Sequence, residues 1–241
     1  MIKRQLFAGF LVLVASCLSS CGSSPAPSAA GQIDHVILGV ADLDQGIAQL
    51  SDLCGVMPVL GGKHEHTGTH NALLSTSSHA YLEVLAPQRG VELSRELEPL
   101  RALANLTPVG WAVAIEDAEL TMRRLRAAGY SVSELQEGSR LTPEGSVIRW
   151  RAFQLTTPGL EIAPFFIEWD AASAHPSETA PEGCSLESLE LRTPHDEALR
   201  RLLSLLQLES RVVRADAAQL VVTLKGPHGP TTLGRAPDRG R

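Results

Sequence analysis

Ile33-Asp34-His35-Val36-Ile37-Leu38-Gly39-Val40-Ala41-Asp42-Leu43-Asp44 reads as a short apolar strand that carries one histidine and runs directly into a helix start. Strict alternation puts Ile33, His35, Ile37 and Gly39 on one face and Asp34, Val36, Leu38 and Val40 on the other. Asp42 or Asp44 supplies an N-cap for a helix over 45–54, where Ile47, Leu50 and Leu53 share a face. The first ordered unit is therefore a strand feeding a helix, with an imidazole on the strand.

Working outward, Val59 and Leu60 precede a turn-rich loop over 61–68 that carries His64 and His66. A strand follows over 69–76, with His70, Ala72 and Leu74 on one face. After a turn comes a strand over 80–86, in which Tyr81, Glu83 and Leu85 share a face. The order is strand, helix, three strands. Residues 89–108 form a connection with a helix expected over 93–106. The pattern then recurs: a strand over 109–115, a helix over 117–128 closed by Gly129, and strands over 147–155 and 161–169. Residues 184–234 read as a truncated third copy. The expected class is α+β, with βαβββ modules over 32–88 and 109–172, each covering the other's open sheet.

The run His35-Val36 followed by Val40-x-Asp42-Leu43-Asp44 resembles the opening of the vicinal oxygen chelate superfamily. The combination Gly61-Gly62-x-His64, Gly68-Thr69-His70-Asn71-Ala72-Leu73-Leu74 and Tyr81-Leu82-Glu83 is similar to its glyoxalase-like branch. The resemblance implies two modules forming a cup, with metal ligands on the first and last strand of each. Carried over by position, it makes His35, Glu83 and Glu168 ligands of a divalent metal, with Zn, Fe, Mn, Ni and Mg not distinguished. The strand Val109-Gly110-Trp111-Ala112-Val113 has no histidine or glutamine where the fourth ligand belongs, so His70, His64, His66 or water must complete the set. The other outcome is a metal-free cup, with Trp111 and Trp150 as stacking walls and Arg149 or Arg151 as an anion clamp.

Each of these residues also has a structural reading. His35 fits a satisfied core histidine, and Glu83 a hydrogen-bonding partner of His35 or His70. Glu168 fits a buried ion pair with Arg149 or Arg151. His70 fits strand-start polarity, His64 and His66 an exposed loop, His175 a loop, and the tryptophans core or seam packing.

The N-terminus carries a different message. Lys3 and Arg4, an apolar stretch over 6–14 and a small-residue exit form the three parts of a secretory signal, too short to span a bilayer stably. Leu18-Ser19-Ser20-Cys21 resembles a bacterial lipobox, with Cys21 the lipidated residue; Val14-Ala15-Ser16-Cys17 is a second candidate, and an ordinary cleaved signal the alternative. Residues 22–31 form a flexible tether. Localisation is expected at a bacterial membrane, facing the periplasm or cell exterior and held by lipid alone. Without residues 1–20 the chain has 19 basic residues against 27 acidic, a net charge near −8 that argues against nucleic acid as a partner. A small-molecule ligand is expected, and the C-terminal module offers packing or a homodimer surface. Of the two cysteines beyond the signal, Cys54 and Cys184, two separate buried thiols are favoured over a bridge.

Two functions compete. One is a metal-dependent lyase or isomerase of glyoxalase type on a small oxygenated substrate, with Glu83 or Glu168 moving a proton. The other is a metal-free protein that binds or sequesters a small molecule; a scaffolding lipoprotein with a vestigial cup stands behind both.

Overall fold

The computed structural model describes residues 32–64, 66–142 and 145–234. The signal, the lipobox with Cys21, the tether and the last seven residues lie outside them.

The opening strand is β1 (Gln32–Gly39), and it feeds α1 (Leu43–Cys54). Asp42 is the N-cap: its carboxylate accepts from the Gln45 N–H at 3.1 Å, and Gly55 ends the helix with φ 71°. The module is completed by β2 (Val59–His64), β3 (Thr69–Ser77) and β4 (Ala80–Pro87). The second module repeats the order with β5 (Thr107–Ala114), α2 (Ala118–Ala127), β6 (Gln136–Leu141), β7 (Val147–Gln154) and β8 (Phe165–Trp169). The fold is α+β, and the two modules share one curved sheet of order β2-β3-β4-β1-β5-β8-β7-β6. Parallel pairs β1–β4 and β5–β8 flank the antiparallel pair β1–β5. At the far edges the Arg140 guanidinium on β6 donates to the Gly61 carbonyl on β2, which nearly closes the sheet on itself.

The C-terminal unit is fuller than its sequence suggested. It comprises β9 (Ser185–Thr193), a helix Asp196–Leu205, β10 (Arg211–Arg214), β11 (Gln219–Gly226) and β12 (Gly229–Leu233), in a sheet of order β10-β9-β11-β12. Between it and β8 lies a linker with one helical turn, Pro176–Thr179.

Other departures have local causes. β2 runs through Gly61 and Gly62, expected as loop, because a bulge between Leu60 and Gly62 lets the edge strand pair with β3. β6 is polar and weak in β propensity, yet it pairs along its whole length with β7. The helix expected over 93–106 is a 3₁₀ segment, Arg95–Ala102, with Pro99 inside it.

The sheet's outer face carries the core. Val36, Leu38, Leu74, Leu82, Val84, Trp111, Val113 and Phe166 pack with Leu50 of α1, with Met122 and Leu125 of α2, and with Leu191, Leu199 and Val222 of the C-terminal unit. Cys54 and Cys184 form a disulfide with Cα atoms 4.9 Å apart, so the expectation of two free thiols is corrected. The C-terminal sheet packs beside α1 and brings β9's entry to the helix end across 130 residues of sequence.

Candidate functional site

Strand parity sorts the expected site residues. Within β8, Glu168 faces outward: its oxygens take Arg151 at 2.8 Å and the Ala118 N–H at the start of α2 at 2.8 Å. Arg151 also binds Glu119 of α2. This is the ion-pair reading of Glu168, and it takes both residues out of the bowl. Arg149 shares the Arg151 face and is exposed. Trp111 lies in the outer core, 1% exposed, with its indole N–H donating to the Ile162 carbonyl at 2.9 Å. His70 lies toward α1, where Asp44 and Asp42 act on it, while burial holds its pKa below the usual value. The expected convergence of Glu168 and His70 with His35 is therefore corrected: successive strand residues face opposite sides, and Asn71 and Trp169 take the inward positions.

The structure does bring His35, Glu83 and Trp150 to the inner face. Asp34 joins them by breaking the alternation. The β1–β5 register slips between Ile33 and His35, so Asp34 has no opposite residue and turns inward beside His35. Asp34 Oδ1 lies 2.5 Å from His35 Nδ1. Its Oδ2 accepts from the Trp169 indole N–H at 2.8 Å and lies 3.1 Å from His175 Nε2. On the far side of the ring, His35 Nε2 is 3.5 Å from Glu83 Oε2. Asn71 donates to Glu83 Oε1 at 2.6 Å, and its Nδ2 is 3.5 Å from His64 Nε2. His66 is exposed in a turn. The His35 ring stacks on Tyr81 at 4.6 Å and meets the edge of Phe165 at 5.3 Å. Trp150 packs on Trp169, with centroids 5.6 Å apart.

Electrostatics follow from burial. Burial opposes ionisation of Asp34, but hydrogen bonds from His175, His35 and Trp169 outweigh it and hold the carboxyl well below the usual range. Burial lowers the His64 pKa, which keeps that imidazole neutral at pH 7. Burial, then the Asp34 and Glu83 charges, push the Tyr81 phenol well up, so it stays protonated.

The donor set does not fit the superfamily's metal centre. Among the described residues no three His, Cys, Asp or Glu side chains are grouped to hold a metal ion. With His35 Nδ1 held by Asp34 and Glu83 Oε1 held by Asn71, His35 Nε2 and Glu83 Oε2 are two facing donor atoms, short of the three or four ligands such a centre uses. The second module supplies the bowl with aromatic rings and with buried Arg140, whose positive charge acts on His64 and Tyr81. That is a poor setting for a second cation.

Sequence reasoning missed Asp34, Asn71, Tyr81, Trp169 and the role of His175. Asn71 and Tyr81 were legible, since they share parity with Glu83 across paired strands. Asp34 and His175 were not, because a bulge and a 141-residue separation carry no local signal.

A model of the glyoxalase-like domain matches residues 33–206. The chain belongs to the glyoxalase-like domain family. With it comes membership of the vicinal oxygen chelate superfamily. Among solved structures, this glyoxalase-like protein is similar to a hypothetical protein from Staphylococcus aureus, at TM-score 0.61 and 15% identity over 77% of this chain and 86% of that one. It is also similar to methylmalonyl-CoA epimerase from Mycobacterium tuberculosis, at TM-score 0.41 and 23% identity over 56% and 86%. A Streptomyces coelicolor methylmalonyl-CoA epimerase variant in complex with 2-nitronate-propionyl-CoA matches at TM-score 0.44 and 20% identity over 59% and 97%. No curated protein matches the glyoxalase-like chain.

Proposed function

We propose that this glyoxalase-like protein is a lyase- or isomerase-type enzyme that moves a proton on a small oxygenated substrate, with His35 and Glu83 as the groups that move it. The observation that carries this reading is an imidazole held between two carboxylates. Asp34 is ionised and can only accept, so His35 Nδ1 at 2.5 Å carries a hydrogen. In the neutral ring, Nε2 is then a lone pair 3.5 Å from Glu83 Oε2. A lone pair and a carboxylate repel unless a proton sits between them, so the pair is a natural place to hold and release one. Asn71 fixes the Glu83 plane, and Tyr81, Phe165 and Trp169 give the surroundings an apolar, aromatic character suited to a small carbon skeleton.

The test is wash-in of solvent deuterium, followed by NMR, into a panel of small 2-oxo and 2-hydroxy compounds. Wild-type protein exchanges a carbon-bound hydrogen in at least one of them, and Glu83→Gln slows that exchange by roughly 100-fold or more with the fold intact. Tight binding of a panel member with no exchange would transfer the conclusion to a metal-free binding protein. That second reading draws support from the depth of the pair, with His35 3% and Glu83 7% exposed. Dialysis against a chelator is expected to leave the melting temperature and the exchange rate unchanged. Loss of either would restore a metal centre.

The chain is further proposed to be exported and lipid-anchored through Cys21, facing the periplasm or cell exterior. The Cys54–Cys184 disulfide supports this reading, because such bonds persist in oxidising compartments. Cys21→Ala should move the protein from the membrane to the soluble fraction. Retention would assign the anchor to Cys17 or remove it.

A further inference from the structure

Three elements from distant parts of the chain meet at Asp34: the bulge in β1, the last residue of β8, and the linker that leads to the C-terminal unit. The linker is pinned within its helical turn and just after it. The Ser177 hydroxyl donates to the Ser78 carbonyl at 2.9 Å, and the Ser75 N–H donates to the Pro181 carbonyl at 2.9 Å. Cys184 then ties it to α1. What these attachments hold in place is His175. Its Nδ1 accepts from the Ser177 N–H at 3.3 Å and lies 2.7 Å from the Ser177 hydroxyl. Because the ionised Asp34 can only accept, Nε2 carries a hydrogen and donates it to Asp34 Oδ2 at 3.1 Å.

We infer that His175 is a positioning residue: by donating to Asp34 Oδ2, beside Trp169, it fixes the carboxylate plane so that Oδ1 holds His35 Nδ1–H and the Nε2 lone pair is presented to Glu83. The inference rests on the proton-transfer reading above and adds a residue that touches neither member of the reacting pair.

The physical argument is one of competition. A neutral imidazole has one N–H, and two carboxylates flank His35, Asp34 on Nδ1 and Glu83 on Nε2. Whichever holds the hydrogen decides which nitrogen is basic. Asp34 wins at 2.5 Å because its other oxygen is occupied by two fixed donors, which stops the carboxylate from turning away. Take away the His175 donor and only Trp169 fixes Oδ2. The His175 ring also packs edge-on against Tyr81 at 5.7 Å and Trp169 at 5.4 Å, so the same side chain braces the aromatic wall. It follows that the two-module bowl is incomplete by itself. The linker to the C-terminal unit sets the tautomer at its centre.

The experiment needs no substrate. In full-length protein with ring-¹⁵N histidine, wild type shows His35 protonated at Nδ1 and free at Nε2. His175→Phe keeps an aromatic ring but removes the donor, and should lower the ratio of the Nδ1–H to the Nε2–H form roughly tenfold, the loss expected of one net hydrogen bond. His175→Gln restores an N–H donor and should restore the wild-type ratio, which a merely structural role would not require. Should His175→Phe fail to fold, Ser177→Ala loosens the same ring and should move the ratio the same way by less. An unchanged His35 signature in whichever of these variants folds overturns the positioning role. A wild-type His35 that carries its hydrogen on Nε2 with Nδ1 free overturns the proton-transfer reading itself, so the two failures are told apart.

Discussion

Asp34 has no solvent exposure and still carries a charge, so its surroundings decide its effect on stability. Its folded pKa lies below the unfolded value of about 3.9, so its contribution is present in full above that value and is lost as pH falls toward the folded one. Asp34→Asn should cost about 3 kcal/mol near pH 7, the scale of breaking a buried ionic cluster. The gap in melting temperature between wild type and variant should be widest above about pH 5 and shrink toward pH 2; a gap that stays constant with pH would mean that Asp34 acts through shape alone. Gly138 poses a steric question instead. A Cβ there would lie 2.4 Å from the Trp150 ring, which covers that glycine across the β6–β7 pair. Gly138→Ala should drive Trp150 off Trp169 and change the near-ultraviolet circular dichroism, at a cost of about 1–3 kcal/mol in a denaturant titration.

At the level of elements, the two modules begin their helices with the same device. Asp42 accepts from Gln45 N at 3.1 Å, and Asp117 accepts from Leu120 N at 2.8 Å. Replacing either aspartate by alanine should lower stability by about 1 kcal/mol in urea unfolding. Asp42 also meets Arg89 at 2.5 Å, but the arginine side chain is 86% exposed. Arg89→Ala should therefore change stability by less than about 0.5 kcal/mol, and a larger loss would show that the ion pair, not the cap, is what Asp42 supplies. The β1 bulge is the element-scale feature that matters most for the site. One extra residue in one strand turns a solvent-or-core choice for Asp34 into an inward pair with His35.

For the whole molecule, the disulfide and the linker join the C-terminal unit to the first module. The bond closes a loop of 130 residues, so Cys54→Ser should cost about 2–4 kcal/mol of unfolding free energy, and reduction of wild type should cost the same. A reduced protein as stable as the oxidised one would show that apolar packing alone docks the C-terminal unit. That packing is extensive, since Leu191, Leu199, Leu202, Leu220 and Val222 share one core with β1, β4 and both module helices.

What the sequence determined by itself is what repeats locally. The alternation in β1, β3 and β4, the helix period after Asp42 and Asp117, and the recurrence of strand, helix and strands marked two similar modules; parity grouped His35 with Ile37 in β1 and Glu83 with Tyr81 in β4, and the family resemblance brought the two strands to one cup. Polar β6 and the run of β2 through Gly61 and Gly62 were not legible, because edge strands are held by pairing with their neighbours more than by the character of their own side chains. Glu168 and Glu83 both sit in apolar strands, and sequence alone could not tell an inward acid from one paired with Arg151 across β7 and β8. Only the tertiary structure decided that Asp34 turns inward, that His175 arrives from a linker 141 residues away, and that Cys54 meets Cys184. The physical reason is that each of these depends on where a bulge falls or how two units dock. Those are set by the packing of many distant residues at once, whereas a strand face or a helix cap is set by the few residues beside it.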